Sequence, residues 1–136
     1  MALVVANVGE NLLLQYAFKT SSGAENFTLK LFTNNYTPVA GSIASNFTEC
    51  AISGYSAKTL TRGSWNDAST NGSNKAEISY ATQSWTFSGS GTVYGYYVVS
   101  ASGGVLLWAE LFPSARTIAS TDVLNLTPKF TFNSEN

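Results

Sequence analysis

Acid–base and nucleophilic catalysis at neutral pH most often runs through histidine, and none of the 136 residues is one. Ser-His-Asp and Cys-His arrangements are therefore excluded within one chain, as are zinc sites of the His/Cys type. Cys50 is the single cysteine and stands in no motif, so it reads as a small buried hydrophobe, and no intrachain disulfide is possible. Carboxylates remain, eight in all. A glycosidase needs two of them at a defined separation. Glu110 is the acid to watch, because it interrupts an apolar run; the plainer reading pairs it with Arg116 or Arg62, or puts it at the wet end of a strand. Asp67, with Asn66, Asn71 and Asn74, offers oxygen ligands to calcium, but the spacing matches no EF-hand loop and reads as a polar turn. Gly89, Gly91 and Gly95 lie among Ser and Tyr and form no phosphate loop. No catalytic, cofactor or metal residue is assigned, and the chain is read as a non-enzyme.

Binding chemistry is better represented. Trp65, Trp85, Tyr94, Tyr96, Tyr97 and Trp108 could form a platform for sugar faces, or a core and a subunit interface. Their place in strand-like runs favours an interface for all but Trp65. Trp65, with Asn66 and Asp67 at the start of a polar loop, is the candidate glycan contact. Charged residues make up 11% of the chain against a usual quarter, and net charge is −1. No basic patch is available to neutralise phosphates, which argues against a nucleic-acid partner. Five Asn-x-Ser/Thr sequons, at Asn26, Asn35, Asn46, Asn71 and Asn125, read as chance matches in a chain rich in Asn and Thr. Residues 1–6 are apolar but lack a basic leader region, so no signal peptide is expected. No run approaches the roughly 20 apolar residues of a membrane span, so no membrane partner is expected.

The elements that must position these residues are strands. Residues 84–112 alternate aromatic and β-branched runs with Ser/Gly breaks, the pattern of consecutive strands joined by tight turns. Gly103-Gly104 supplies the positive φ of a short hairpin turn. The runs 92–100 and 105–112 are apolar on both faces, whereas a sheet with one wet face alternates. Something must cover the second face, either an N-terminal helix at residues 12–17 or another subunit. Flanking segments alternate cleanly. Phe27, Leu29 and Leu31 point inward, as do Ala76, Ile78 and Tyr80, and then Leu124, Leu126, Phe130 and Phe132. Residues 47–52 and 55–60 read as short strands, 62–67 as a further possible one, and 39–46 as a surface loop. Asn71-Gly72 is the strongest turn signal. Pro113 opens a connecting loop with a possible strand at 116–118. Residues 8–19 are the one helical candidate, with Leu12, Leu13, Tyr16 and Ala17 as the apolar stripe, Asn7 as cap and Gly23 as stop. The expected fold is mainly β, an antiparallel β-sandwich or jelly roll with one short N-terminal helix, as a single domain over residues 1–136.

Several phrases carry a resemblance. Val8-Gly9-Glu10-Asn11 with Leu12-Leu13, Leu31-Phe32-Thr33-Asn34-Asn35 with Thr37-Pro38, and Gly54-Tyr55 with Lys58-Thr59-Leu60 are similar to small virion proteins of tailed bacteriophages, notably those of aquatic, cyanophage-like groups. Trp85-Thr86-Phe87, Val93-Tyr94-Gly95-Tyr96-Tyr97-Val98 and Trp108-Ala109-Glu110 extend the likeness over about residues 4 to 132. The resemblance implies a capsid decoration, or cement, protein: small, β-rich, often a homotrimer, made in the host cytoplasm and placed on the capsid surface of the virion. Its implied partners are the major capsid protein and copies of itself. No functional residue transfers, since these phrases hold no site motif. The residues themselves offer Tyr94, Tyr96, Val98, Leu107 and Trp108 as the candidate interface. Leu3, Val4 and Val5 offer an apolar arm for docking on the shell, or a first edge strand of the domain's own sheet. A different class of reading is a tail-fibre or receptor-binding module that recognises host surface glycans through Trp65, Asn66 and Asp67.

Overall fold

The computed structural model describes residues 14–15, 17–19 and 25–132. The expected docking arm (Leu3, Val4, Val5) lies outside these residues, as do Asn7, Leu12, Leu13, Tyr16 and Gly23. The described chain is mainly β, with antiparallel sheets and one short helix. It falls into two compact units.

The larger unit holds described residues 25–60 and 83–126. Its strands are β1 (Phe27–Phe32), β2 (Lys58–Leu60), β5 (Gln83–Thr86), β6 (Gly91–Ser100), β7 (Leu106–Ile118) and β8 (Val123–Leu126). Four of them form a sheet in the order β2-β1-β6-β7, and β5 pairs with β8. All pairings are antiparallel. β6 is central because it is apolar on both sides: Val93 and Tyr96, Tyr97, Val98 and Val99 are all buried. Its partners on one face are Leu29 and Leu31, which lie opposite Val98 and Tyr96 in register. On the other face Phe32, Tyr97 and Val99 cluster with Phe47.

Where the 12–17 helix or another subunit was expected, the unit's own residues 36–47 pack on this second face. The Phe47 ring stacks on Tyr97 at 4.9 Å and 15° between planes, and meets Tyr36 edge-on. Asn34 fastens the segment, donating from Nδ2 to the Asn46 carbonyl at 2.9 Å and accepting the Thr48 N–H at 2.8 Å. Past Phe47 the chain follows the end of β1 through Thr33 N–H to Thr48 O and Cys50 N–H to Leu31 O. It forms a single bridge, Phe32 to Glu49, in place of the strand expected at 47–52. The strand expected over 55–60 is confined to β2.

In the β6–β7 turn the positive φ belongs to Gly104. The Ser100 hydroxyl reinforces that turn by accepting the Val105 N–H. β7 runs on through Pro113, where a loop was expected. Gly95 lies opposite Leu111 and Val93 opposite Arg116, so residues 112–115 form a bulge. The N–H that Pro113 lacks is not required in a bulge.

The smaller unit holds the helical residues 14–15 and 17–19 together with 61–82 and 127–132. Its sheet is β3 (Ser69–Thr70), β4 (Ala76–Ser79) and β9 (Lys129–Thr131), in that order. Ala76 and Ile78 are buried as the alternation predicts. The helix buries Leu14 and Phe18, four residues apart, and exposes Ala17, which corrects the expected stripe. Residues 62–67 are turn and loop, with Gly63 at φ +84°. The alternating segment from Leu124 to Phe132, read as one run, holds two strands, β8 and β9. Fully buried Pro128 separates β8 from β9, and the halves join different sheets. Phe132, expected to face inward, is 37% exposed.

Candidate functional site

The central position of β6 decides which aromatic residues are available to a partner. Tyr96 and Val98, two of the expected interface residues, are buried inside the larger unit and present no surface. Their burial comes from β1 and β7 flanking them, which the apolar run alone does not reveal. Tyr94 is half-buried against the Phe32–Phe47–Tyr97 cluster. Leu107 is 41% exposed, and Trp108 is half-buried with its ring edge-on to Phe27.

Leu107 and Trp108 belong to β7, which has β6 on one side and, among the described residues, no strand on the other. A cleft of about 360 Å³ opens beside β7. Four consecutive strand residues, Leu106 to Ala109, line it, so it runs along the strand's edge rather than over one face. Its opposite wall is the turn 38–42, held by Ser42. The Ser42 hydroxyl accepts the Val39 N–H at 2.9 Å and is hydrogen-bonded to the Tyr36 hydroxyl at 2.9 Å. No charged residue lines the cleft. Val39 and Leu107 on its walls are exposed, as are Ile43, next to the lining Ser42, and Val105, next to the lining Leu106. These four account for most of the large exposed hydrophobics of the described chain. Val39 and Ile43 lie in the stretch read as a plain surface loop, and their spacing carries no periodic signal.

Glu110, two residues beyond Trp108, is exposed and accepts a hydrogen bond from the Tyr96 hydroxyl at 2.8 Å. Burial, and then this bond, raise the Tyr96 phenol above its ordinary value. The expected Arg116 partner is displaced by the bulge and lies opposite Val93 instead.

Trp65, the expected glycan contact, is 2% exposed. Phe18 and Tyr80 meet its ring edge-on at 4.7 Å and 5.3 Å, so it is a core residue of the smaller unit and offers no ring face to a sugar. Asn66 and Asp67 are exposed, but their groups are engaged. Asn66 donates to the Ser79 hydroxyl, and Asp67 pairs with Lys19 and accepts from Gln15. Hydrogen bonding from Lys19 holds the Asp67 carboxyl below its usual value. Asn71 turns its Oδ1 onto the Ser73 and Lys75 N–H groups. Among the described residues no three His, Cys, Asp or Glu side chains converge.

Comparison with protein-family models, with curated proteins and with solved structures finds no match.

Proposed function

We propose that the chain is a capsid decoration protein of the cement type, a non-catalytic virion component that stabilises the head shell by binding at subunit junctions. The observation that carries this reading is the apolar edge of β7, which among the described residues has no strand beside it, with Leu107, Val105, Val39 and Ile43 exposed around an uncharged cleft. Exposed strand edges are normally blunted by charge or covered, because their free N–H and C=O groups recruit another strand. On β7 the bulge and Pro113 interrupt the distal part, and a second register shift places Leu107 between Leu106 and Trp108 as an extra residue, so the stretch at 106–109 turns apolar side chains outward at an irregular edge. A partner segment laid along that stretch packs against Leu107 and inserts apolar side chains into the cleft. The low charge of the whole chain suits a protein packed against neighbours, and the virion phrases in its sequence supply the shell as partner. Assembly into homotrimers belongs to the same proposal.

Leu107→Asp tests it, because the residue is exposed and its loss leaves the core intact. Folding stability should change by no more than about 0.5 kcal/mol. Binding to shells stripped of the protein, followed by co-sedimentation, should fall at least tenfold. Virions lacking the protein should lose heat tolerance. Undiminished shell binding by Leu107→Asp, or virions equally heat-tolerant without the protein, would overturn the reading.

A further inference from the structure

A second concavity in the larger unit has a different chemistry. β1 pairs with β6 only from Gly95 to Ser100, so the first part of β6 extends past the end of β1. The space left there is a shallow cup of about 370 Å³, within the range of small-ligand pockets. Four of its lining residues carry hydroxyls: Thr33, Ser90, Thr92 and Tyr94. Ala51, Ile52 and Gly91 supply the apolar lining, and no charged residue contributes. Gly91 matters here because the Ile52 side chain lies where its Cβ would be, 2.7 Å from that point, so the two close the cup against each other.

The hydroxyls are uncommitted. Among the described residues Ser90, Thr92 and Tyr94 have no side-chain hydrogen-bond partner, and Thr33 makes one long contact of 3.4 Å to the Thr48 carbonyl. Tyr94 is half-buried and packs against the cluster of Phe32, Phe47, Tyr97 and Val99. An aromatic ring beside apolar carbon, ringed by donor–acceptor hydroxyls without charge, matches a neutral polyhydroxylated ligand. An anion would find no cation here, and a wholly apolar group would strand the hydroxyls.

We infer that this cup binds a neutral sugar residue, with the Tyr94 ring and Ile52 against its C–H face and the Ser90, Thr92 and Tyr94 hydroxyls exchanging hydrogen bonds with its own. The site is separate from the β7 edge and stands whether or not that edge binds a shell.

Titrating the isotope-labelled full chain with the methyl glycosides of glucose, galactose, mannose and N-acetylglucosamine, followed by amide chemical shifts, tests the inference. At least one probe should give saturable shifts at residues 33, 51–52 and 90–94, with millimolar affinity. Thr92→Val, which keeps the β-branched shape, should weaken that affinity about fivefold, the loss expected of one hydrogen bond. Tyr94→Phe keeps the ring and should weaken it to a similar degree. No saturable shift with any of the four probes, shifts centred elsewhere, or an affinity unmoved by both substitutions would overturn it.

Discussion

Phe47→Ala is the substitution that most directly tests how the larger unit closes. Phe47 is 6% exposed, yet it lies outside every strand and is carried by the segment that covers β6. Its ring touches three others: Tyr97 stacked at 4.9 Å, Phe32 at 4.9 Å and Tyr36 edge-on at 5.3 Å. Truncating a buried Phe to Ala costs about 3–5 kcal/mol in well-packed cores. A loop can settle into part of the space, which places the expected loss near the lower end, about 3 kcal/mol. Against a typical net stability of about 5–15 kcal/mol, that lowers the melting temperature on the order of 10 °C. Urea unfolding followed by far-UV circular dichroism measures the loss, and near-UV signals report the aromatic cluster. Phe47→Leu should recover most of the stability, since it restores volume while giving up the ring stack. The truncated protein should also bind a hydrophobic dye, because Tyr97 and Val99 lose their cover. A loss below about 1 kcal/mol would refute the reasoning, since it would mean that the second face of β6 is supported without the loop.

Three further outcomes are expected. Gly95→Ala should abolish folding or cost several kcal/mol, because the added Cβ would lie 2.1 Å from the Glu110 carbonyl and 2.6 Å from the Phe32 ring; soluble yield and melting temperature measure it. Glu77 accepts from the Asn71 side chain, and chiefly for that reason its carboxyl titrates below the usual 4.5. In acid the unfolded chain binds the proton first, so this contribution is complete above about pH 4.5 and lost as pH falls through the depressed value; Glu77→Gln should flatten that limb of the stability–pH curve. Burial raises the Cys50 thiol above its ordinary value, so alkylation at pH 8 should be slow in the native protein and should accelerate on unfolding.

Strand alternation was the part of the fold most legible in the residues. Phe27, Leu29 and Leu31 and the pair Ala76 and Ile78 are buried where period two places them. Gly103-Gly104 marks a real hairpin. The failures have physical causes. Ser69 and Thr70 are exposed on both faces, so β3 has no pattern to read. The alternation of Leu124, Leu126 and Phe130 continues unbroken across Pro128, where the chain passes from one sheet to another. Periodicity is a local quantity, and a change of sheet that preserves it leaves no trace. Asn71-Gly72 does mark a turn, but the left-handed residue is Asn74 at φ +60°, because the Asn71 side chain organises the loop by accepting two N–H groups.

The candidate site was legible in composition and misplaced in detail, for one reason. The doubly apolar run from Tyr94 to Phe112 signals surplus apolar surface, but not which strand ends up central. Once β6 lies between β1 and β7, and residues 36–47 close its second face, Tyr96 and Val98 are consumed by the fold. The surplus passes outward to β7, where Leu107 stays exposed. The same step explains Val39 and Ile43. They belong to the segment whose Phe47 and Tyr36 plug the core, and a segment anchored from below by two aromatics carries its remaining apolar side chains outward. Cover and patch are thus two sides of one loop. Loosening the Phe47 anchor should therefore weaken partner binding at the β7 cleft even where no cleft residue is changed, because the 38–42 wall rests on the same segment. Phe47→Leu is the variant that separates the two: near-native stability with unaltered shell binding would show that the wall holds its position without the aromatic stack.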